Sequence, residues 1–222
     1  MFGRASIIEG DPDKIEAGIA FVRDRAKPEV EATPGNRGLS MWVDRVNGLA
    51  VVTTVWEDRA ALDSSGETAS GLRAEAAAVL GSTNVRVRVA EPAVIWQAAA
   101  DQPGYWIRSA ELEVPRDKID TAIAGFRDEA LPMIQQLPGI NTALLLVNRE
   151  EGLAVLNFTY RSKADLDGSR ETGKARRAEF SAQLGAHELS VIEAEAVIVG
   201  IRGPEIVGQS QPATDRPAAT QV

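Results

Sequence analysis

The sequence predicts an α+β chain built as two copies of one β-α-β-β-α-β unit, with their antiparallel sheets packed face to face. Three observations carry this. The stretch "DKIEAGIAFVRDRAKP" at positions 13–28 returns as "DKIDTAIAGFRDEALP" at 117–132. Each copy orders its strand-like and helix-like patterns in the ferredoxin-like, split βαβ arrangement. That arrangement leaves one sheet face without helices, and a face of this kind has to be covered. A second copy in the same chain supplies the cover.

An offset of 104 residues, the step from Pro34 to Pro138, keeps the copies in register without an insertion. "GLAV" at Gly48 falls on "GLAV" at Gly152, and "LDSSGET" from Leu62 falls on "LDGSRET" from Leu166. Each unit opens on a short strand, "RASIIE" or "WIRSAELEV". A helix follows, because Ile15, Ile19 and Val22, and likewise Ile119, Ile123 and Phe126, recur at helical spacing. Asp11 or Asp13 is the expected cap of the first of these, with Pro12 tolerated in its opening turn. Two strands come next. In the first unit they meet at Asn47-Gly48, a short hairpin signal because both residues accept positive φ. One helix is expected from about Arg59 to Leu80, stopped by Gly81. The last strands, from about Asn84 to Trp96 and from about Glu188 to Gly200, are longer than usual. Pro92 interrupts the first of them, so a bent strand that leaves its own sheet for the other half is expected. These readings divide the chain into repeats over 1–97 and 106–202, a linker over 98–105, and a tail over 203–222. The tail is aperiodic and rich in Pro, Ala, Thr and Gln, which reads as disorder.

Charge and composition narrow the function classes. The 222 residues carry 24 Lys and Arg against 32 Asp and Glu, a formal net charge of -8. Phosphate binding needs a clustered basic surface, so no nucleic-acid partner is expected. A polybasic membrane contact is excluded on the same ground. No apolar run is long enough to span a bilayer. The opening "MFGRASIIEGDPDK" lacks the basic and apolar regions of a secretion signal. The absence of cysteine rules out disulfides and thiol chemistry and fits a cytoplasmic location.

The run "VVTTVWEDRAALDSS", which leads from the third strand into the second helix, resembles the antibiotic biosynthesis monooxygenase domain. Its mark is an aromatic residue and a polar one at the strand end, here Trp56-Glu57 and Tyr160-Arg161. The resemblance covers both units and implies an intramolecular pseudo-dimeric α+β barrel. It also implies a cofactor-independent monooxygenase-like protein that takes a small aromatic or hydrophobic molecule between sheet and helices. The alternative is a non-catalytic small-ligand-binding or structural barrel. Haem degraders of this family use a strand Asn, a Trp and a downstream His. Trp56 matches the Trp, but the His position falls near Ser65-Gly66 and Ser169-Arg170, so haem degradation is not expected. With no nucleotide motif or carboxylate metal cluster in view, no cofactor and no metal are expected. Sheet faces satisfied within one chain imply a monomer or a weak homodimer.

Individual residues admit a bland reading beside the functional one. Trp56, Phe158 and Tyr160 share one strand face, with Trp42 in a neighbouring strand, and either pack the core or stack on a flat ligand. Asn157 and Thr53 occupy the opposite face, where a polar side chain is paired or lines a wet cavity. Asp24 and Asp128 adjoin the apolar stripe of the first helix and are the candidate bases, although Arg23 and Arg127 beside them also suggest solvated pairs. Arg73 and Arg177 read as solvated helix residues. His187, the lone histidine, reads as an exposed strand-start residue or as a proton-transfer group at a pocket mouth.

Overall fold

Eight strands close into one barrel, and the two halves build it by exchanging strand ends. A computed structural model of the chain describes residues 1–98 and 105–200; the expected tail and the interior of the expected linker lie outside the described residues. The first half supplies β1 (Phe2–Glu9), β2 (Asn36–Asp44), β3 (Leu49–Trp56) and β4 (Asn84–Gln97). The second supplies β5 (Trp106–Glu113), β6 (Ile140–Asn148), β7 (Leu153–Tyr160) and β8 (His187–Ile198). Around the barrel the order is β1-β3-β2-β8-β5-β7-β6-β4, with antiparallel pairing throughout.

The long strands make the closure. Asn84–Ala90 of β4 pairs with β1, and Glu91–Gln97 pairs with β6 of the other half. The register shifts between Pro92 and Val94, where a residue without an N–H cannot continue a regular ladder. β8 mirrors this, running along β5 as far as Glu195 and along β2 from Glu195 to Ile198. The exchanged ends are anchored by packing. Ile198 is buried in the first half's core, and Val94 and Trp96 pack against the second half's core.

Helices cover the outside. In the first half they are α1 (residues 15–31), α2 (Arg59–Ser64) and α3 (Gly66–Leu80); in the second, α4 (residues 119–134), α5 (Lys163–Gly168) and α6 (Arg170–Leu184). Asp11 accepts from the backbone N–H of Asp13 at 3.0 Å and so caps the turn that enters α1. Both α1 and α4 contain a π-turn, Val22–Ala26 and Phe126–Ala130, just before Pro28 and Pro132. A proline inside a helix clashes with the carbonyl four residues back, and the wider turn accommodates it. The helix expected over 59–80 is two helices that meet at Ser65, and the second half repeats the break at Ser169. Gly81 and Gly185 end the longer pieces in the left-handed region, at φ 66°. The hairpin differs from expectation too. Residues 45–48 form the link, only Gly48 has positive φ, and the Asp44 carboxylate accepts from the backbone N–H groups of Val46 and Asn47.

Candidate functional site

The period-two rule sorts the side chains of β5 and β7 between barrel interior and helix layer. Arg108 on β5 and Leu156, Phe158 and Tyr160 on β7 face the helices. There they meet Phe126 and Ala130 of the α4 π-turn, and Phe180, Arg176 and Arg177 of α6, around a cavity of about 320 Å³. Its walls are aromatic: the Phe126 and Phe158 rings stack at 22°, with centroids 6.3 Å apart.

Arg108 fixes the polar end of the cavity. It is 1% exposed, and each of its three side-chain nitrogens has a partner. Nη1 donates to Ser169 Oγ at 2.8 Å and Nη2 to the Leu166 carbonyl at 2.7 Å, both at the helix break. Nε donates to Glu193 of β8 at 2.8 Å. The guanidinium lies 5.8 Å from the Tyr160 ring centroid, within cation–π range. Burial raises the pKa of Glu193, but hydrogen bonds from Arg170 and Arg108 outweigh it and hold the carboxyl below its usual range. Arg177, also buried, donates through Nε to Glu188 at 2.9 Å. A Cβ added at Gly173 would lie 3.3 Å from Arg108 Nη1 and 3.4 Å from Arg177 Nη1, so both guanidinium groups crowd one glycine.

The residues singled out in the sequence fall in several places. Phe158 and Tyr160 line this cavity together. Trp56, the counterpart of Tyr160, is 1% exposed in the first core, with Nε1 donating to Thr54 Oγ1 at 3.0 Å. Trp42, Thr53 and Asn157 face the barrel interior, where a second space of about 80 Å³ separates the halves. Asn157 Oδ1 is buried there without a partner among the described residues, and Arg88 Nε and Glu111 Oε2 lie 3.4 Å from each other. Asp24 and Asp128 are exposed and held by Arg23 and Arg127 at 2.7 and 2.8 Å. Those hydrogen bonds push both carboxyls below their usual range, away from what a base near neutral pH needs. His187 is exposed at the start of β8, away from the cavity lining. Arg73 and Arg177, read as solvated, instead line cavities.

Sequence reasoning missed Arg4 and Arg108, although a signal existed. They recur at the repeat offset on strand faces that otherwise carry mostly apolar residues, Phe2 and Ile8 in one unit and Trp106, Ala110 and Leu112 in the other. Among the described residues no group of three or more His, Cys, Asp or Glu side chains is placed to hold a metal. No described helix is long and apolar enough to cross a membrane.

No protein-family model matches the chain. Among solved structures, an anthrone oxidase-like protein superposes with a TM-score of 0.64 at 14% identity, covering 89% of this chain and 91% of that one. A Listeria monocytogenes ferredoxin-fold protein related to antibiotic biosynthesis monooxygenases superposes with a TM-score of 0.50 at 7% identity, covering 87% and 94%. At these identities the likeness is one of fold: two ferredoxin-like units closed into one barrel. In sequence, the uncharacterized protein Rv2557 of Mycobacterium tuberculosis (strain H37Rv) is 31% identical over 207 residues, 93% of this chain and 92% of that protein. With nearly the full length of both proteins aligned at that identity, the chain belongs to the same family as Rv2557.

Proposed function

We propose that the protein binds a small flat aromatic molecule in the second-half cavity, in the manner of a cofactor-independent monooxygenase. The observation that carries the reading is the cavity itself. About 320 Å³ is the lower end of the range for small-molecule sites, and Phe126, Phe158, Tyr160 and Phe180 give it aromatic walls. A phenol or quinol that enters as its anion, its proton already lost to water, can donate one electron to oxygen directly, leaving a ligand radical and superoxide. The protein's part is to orient the ring, exclude water and stabilise the anion. Arg108 and Arg177 at the polar end can donate to an oxygen on the ligand, although Glu193 and Glu188 already balance their charges.

One observation favours a second reading, binding without catalysis. The residues lining the cavity include no carboxylate and no imidazole, so no side-chain base is in place. Calorimetric titration with phenols and quinols, followed by oxygen uptake on each ligand found, separates the two. Phe158→Ala and Phe180→Ala are each expected to weaken binding by about tenfold, the equivalent of one lost aromatic contact. Affinity unchanged in both would rule out this cavity as the site. Tight binding without oxygen consumption would select the second reading.

A further inference from the structure

The first half repeats the framework of the second but omits its counter-charges. Arg4 stands where Arg108 stands: Nη1 donates to Ser65 Oγ at 2.9 Å and Nη2 to the Leu62 carbonyl at 2.5 Å. Across the sheet the registers match, Arg108 against Glu193 and Arg4 against Val89. The carboxylate that neutralises Arg108 is thus a valine beside Arg4. Arg73 stands where Arg177 stands. Arg177 is paired with Glu188, whereas the corresponding end of β4 offers Asn84 and Val85. Arg73 Nη1 is buried with no hydrogen-bond partner among the described residues.

Arg4 and Arg73 line one cavity of about 40 Å³, with the hydroxyl residues Ser6 and Thr54 and walls that include Val52 and Leu72. Burial, and then the charge of Arg73, lower the pKa of Arg4; burial lowers that of Arg73. Asp63, whose charge reaches Arg4, is held by Arg59 at 2.9 Å. Two partly buried like charges with no carboxylate of the described residues bonded to either are costly unless an anion joins them.

We propose that this first-half cavity is an anion site that takes a short-chain monocarboxylate between Arg4 and Arg73. The planar guanidinium fork matches a carboxylate, which accepts two parallel N–H bonds. The apolar walls suit a short alkyl tail. The volume admits only a few atoms, since one water needs roughly 10–15 Å³. The site is separate from the aromatic cavity and stands or falls independently of it.

The test is thermal unfolding of the full chain at pH 7 in sodium acetate against sodium chloride at equal ionic strength. Acetate is expected to raise Tm by several degrees, saturably, as a ligand bound only by the folded state does. Arg73→Met removes an unbonded cation, so it leaves the fold intact and weakens the acetate response by at least about tenfold, the loss of one charge-assisted bond. Val89→Glu builds the Glu193-like carboxylate beside Arg4, and internal competition abolishes the response. The proposal fails if the unaltered chain does not respond to acetate, or if both variants keep the full response. It also fails if chloride stabilises as well as acetate does.

Discussion

Arg176 explains why two halves built alike hold cavities of about 320 and 40 Å³. Its counterpart, Leu72, is 6% exposed and fills the first half's core. The Arg176 side chain is 58% exposed and reaches Glu179 at 3.0 Å, so its head stays in water and leaves the space behind it open. Arg176→Leu should turn inward as Leu72 does. It is expected to stabilise the fold by about 1 kcal/mol, the burial of part of a leucine, and to weaken aromatic ligand binding by about tenfold or more. Calorimetry that shows full affinity in this variant would mean that the other walls set the cavity. Glu193 has the converse role. Its folded pKa lies below the ordinary carboxylate range, so its contribution is complete above that range and is lost as pH falls through the folded value. Glu193→Gln leaves the buried Arg108 without its counter-charge. The expected cost at pH 7 is about 2 kcal/mol, below the usual figure for a broken buried pair because Glu193 is one-quarter exposed. The gap between variant and parent should narrow as pH falls below the ordinary carboxylate range; a gap independent of pH would assign the effect to packing. None of this asymmetry was legible from residue types alone. A lone arginine in a strand reads as solvent-facing, and only its recurrence at Arg4 and Arg108 hints at burial.

At the scale of elements, the sequence shows what repeats and hides what bends. The repeat offset, the strand order and the exchange of strand ends were readable, the last from the length of β4 and from Pro92. The π-turns were not, because the apolar stripe of Ile15, Ile19 and Val22 ends where the wider turn, Val22–Ala26, begins. The break at Ser65 was not, because helical periodicity continues across it. Its cause is a distant one: the Leu62 carbonyl and Ser65 Oγ turn to meet Arg4 on β1. The β2–β3 link shows a local signal resolved by tertiary contact. Gly48 has φ 67°, and an added Cβ would lie 2.3 Å from the Gly10 carbonyl oxygen. That approach seats the link on the strand exit, where the Gly10 N–H donates to the Gly48 carbonyl at 2.8 Å. Gly48→Ala must therefore shift backbone as well as bear a strained φ, and is expected to cost about 2 kcal/mol or more. In a chain of this size that lowers Tm by roughly 4–8 °C, measurable by scanning calorimetry. A drop below about one degree would show that the link can move away.

At the scale of the whole molecule, closure removes the edges through which ferredoxin-like sheets associate. Every described strand has two neighbours in the barrel, which shortens the backbone ladder left open to a second chain, as along β2, which meets β8 only over Met41–Val43. Light scattering is expected to return a mass near the 23.7 kDa of one chain. Closure also couples the halves. The end of β4 is laddered to β6, that of β8 to β2, and Trp96 and Ile198 sit against the opposite cores. Neither half can unfold without exposing apolar surface and unpairing strands in the other, so unfolding should be a single cooperative transition. Trp56 reports on the first core and Trp106 on the second. Replacing the other tryptophans with phenylalanine, so that one reporter remains in each of two variants, allows their denaturant midpoints to be compared with far-UV circular dichroism. All curves are expected to coincide after allowance for each variant's own stability. Dichroism and fluorescence that separate within one variant would mean that each half keeps its structure when the other is lost. In that case the exchanged strand ends fasten two independent domains together and do not make them one.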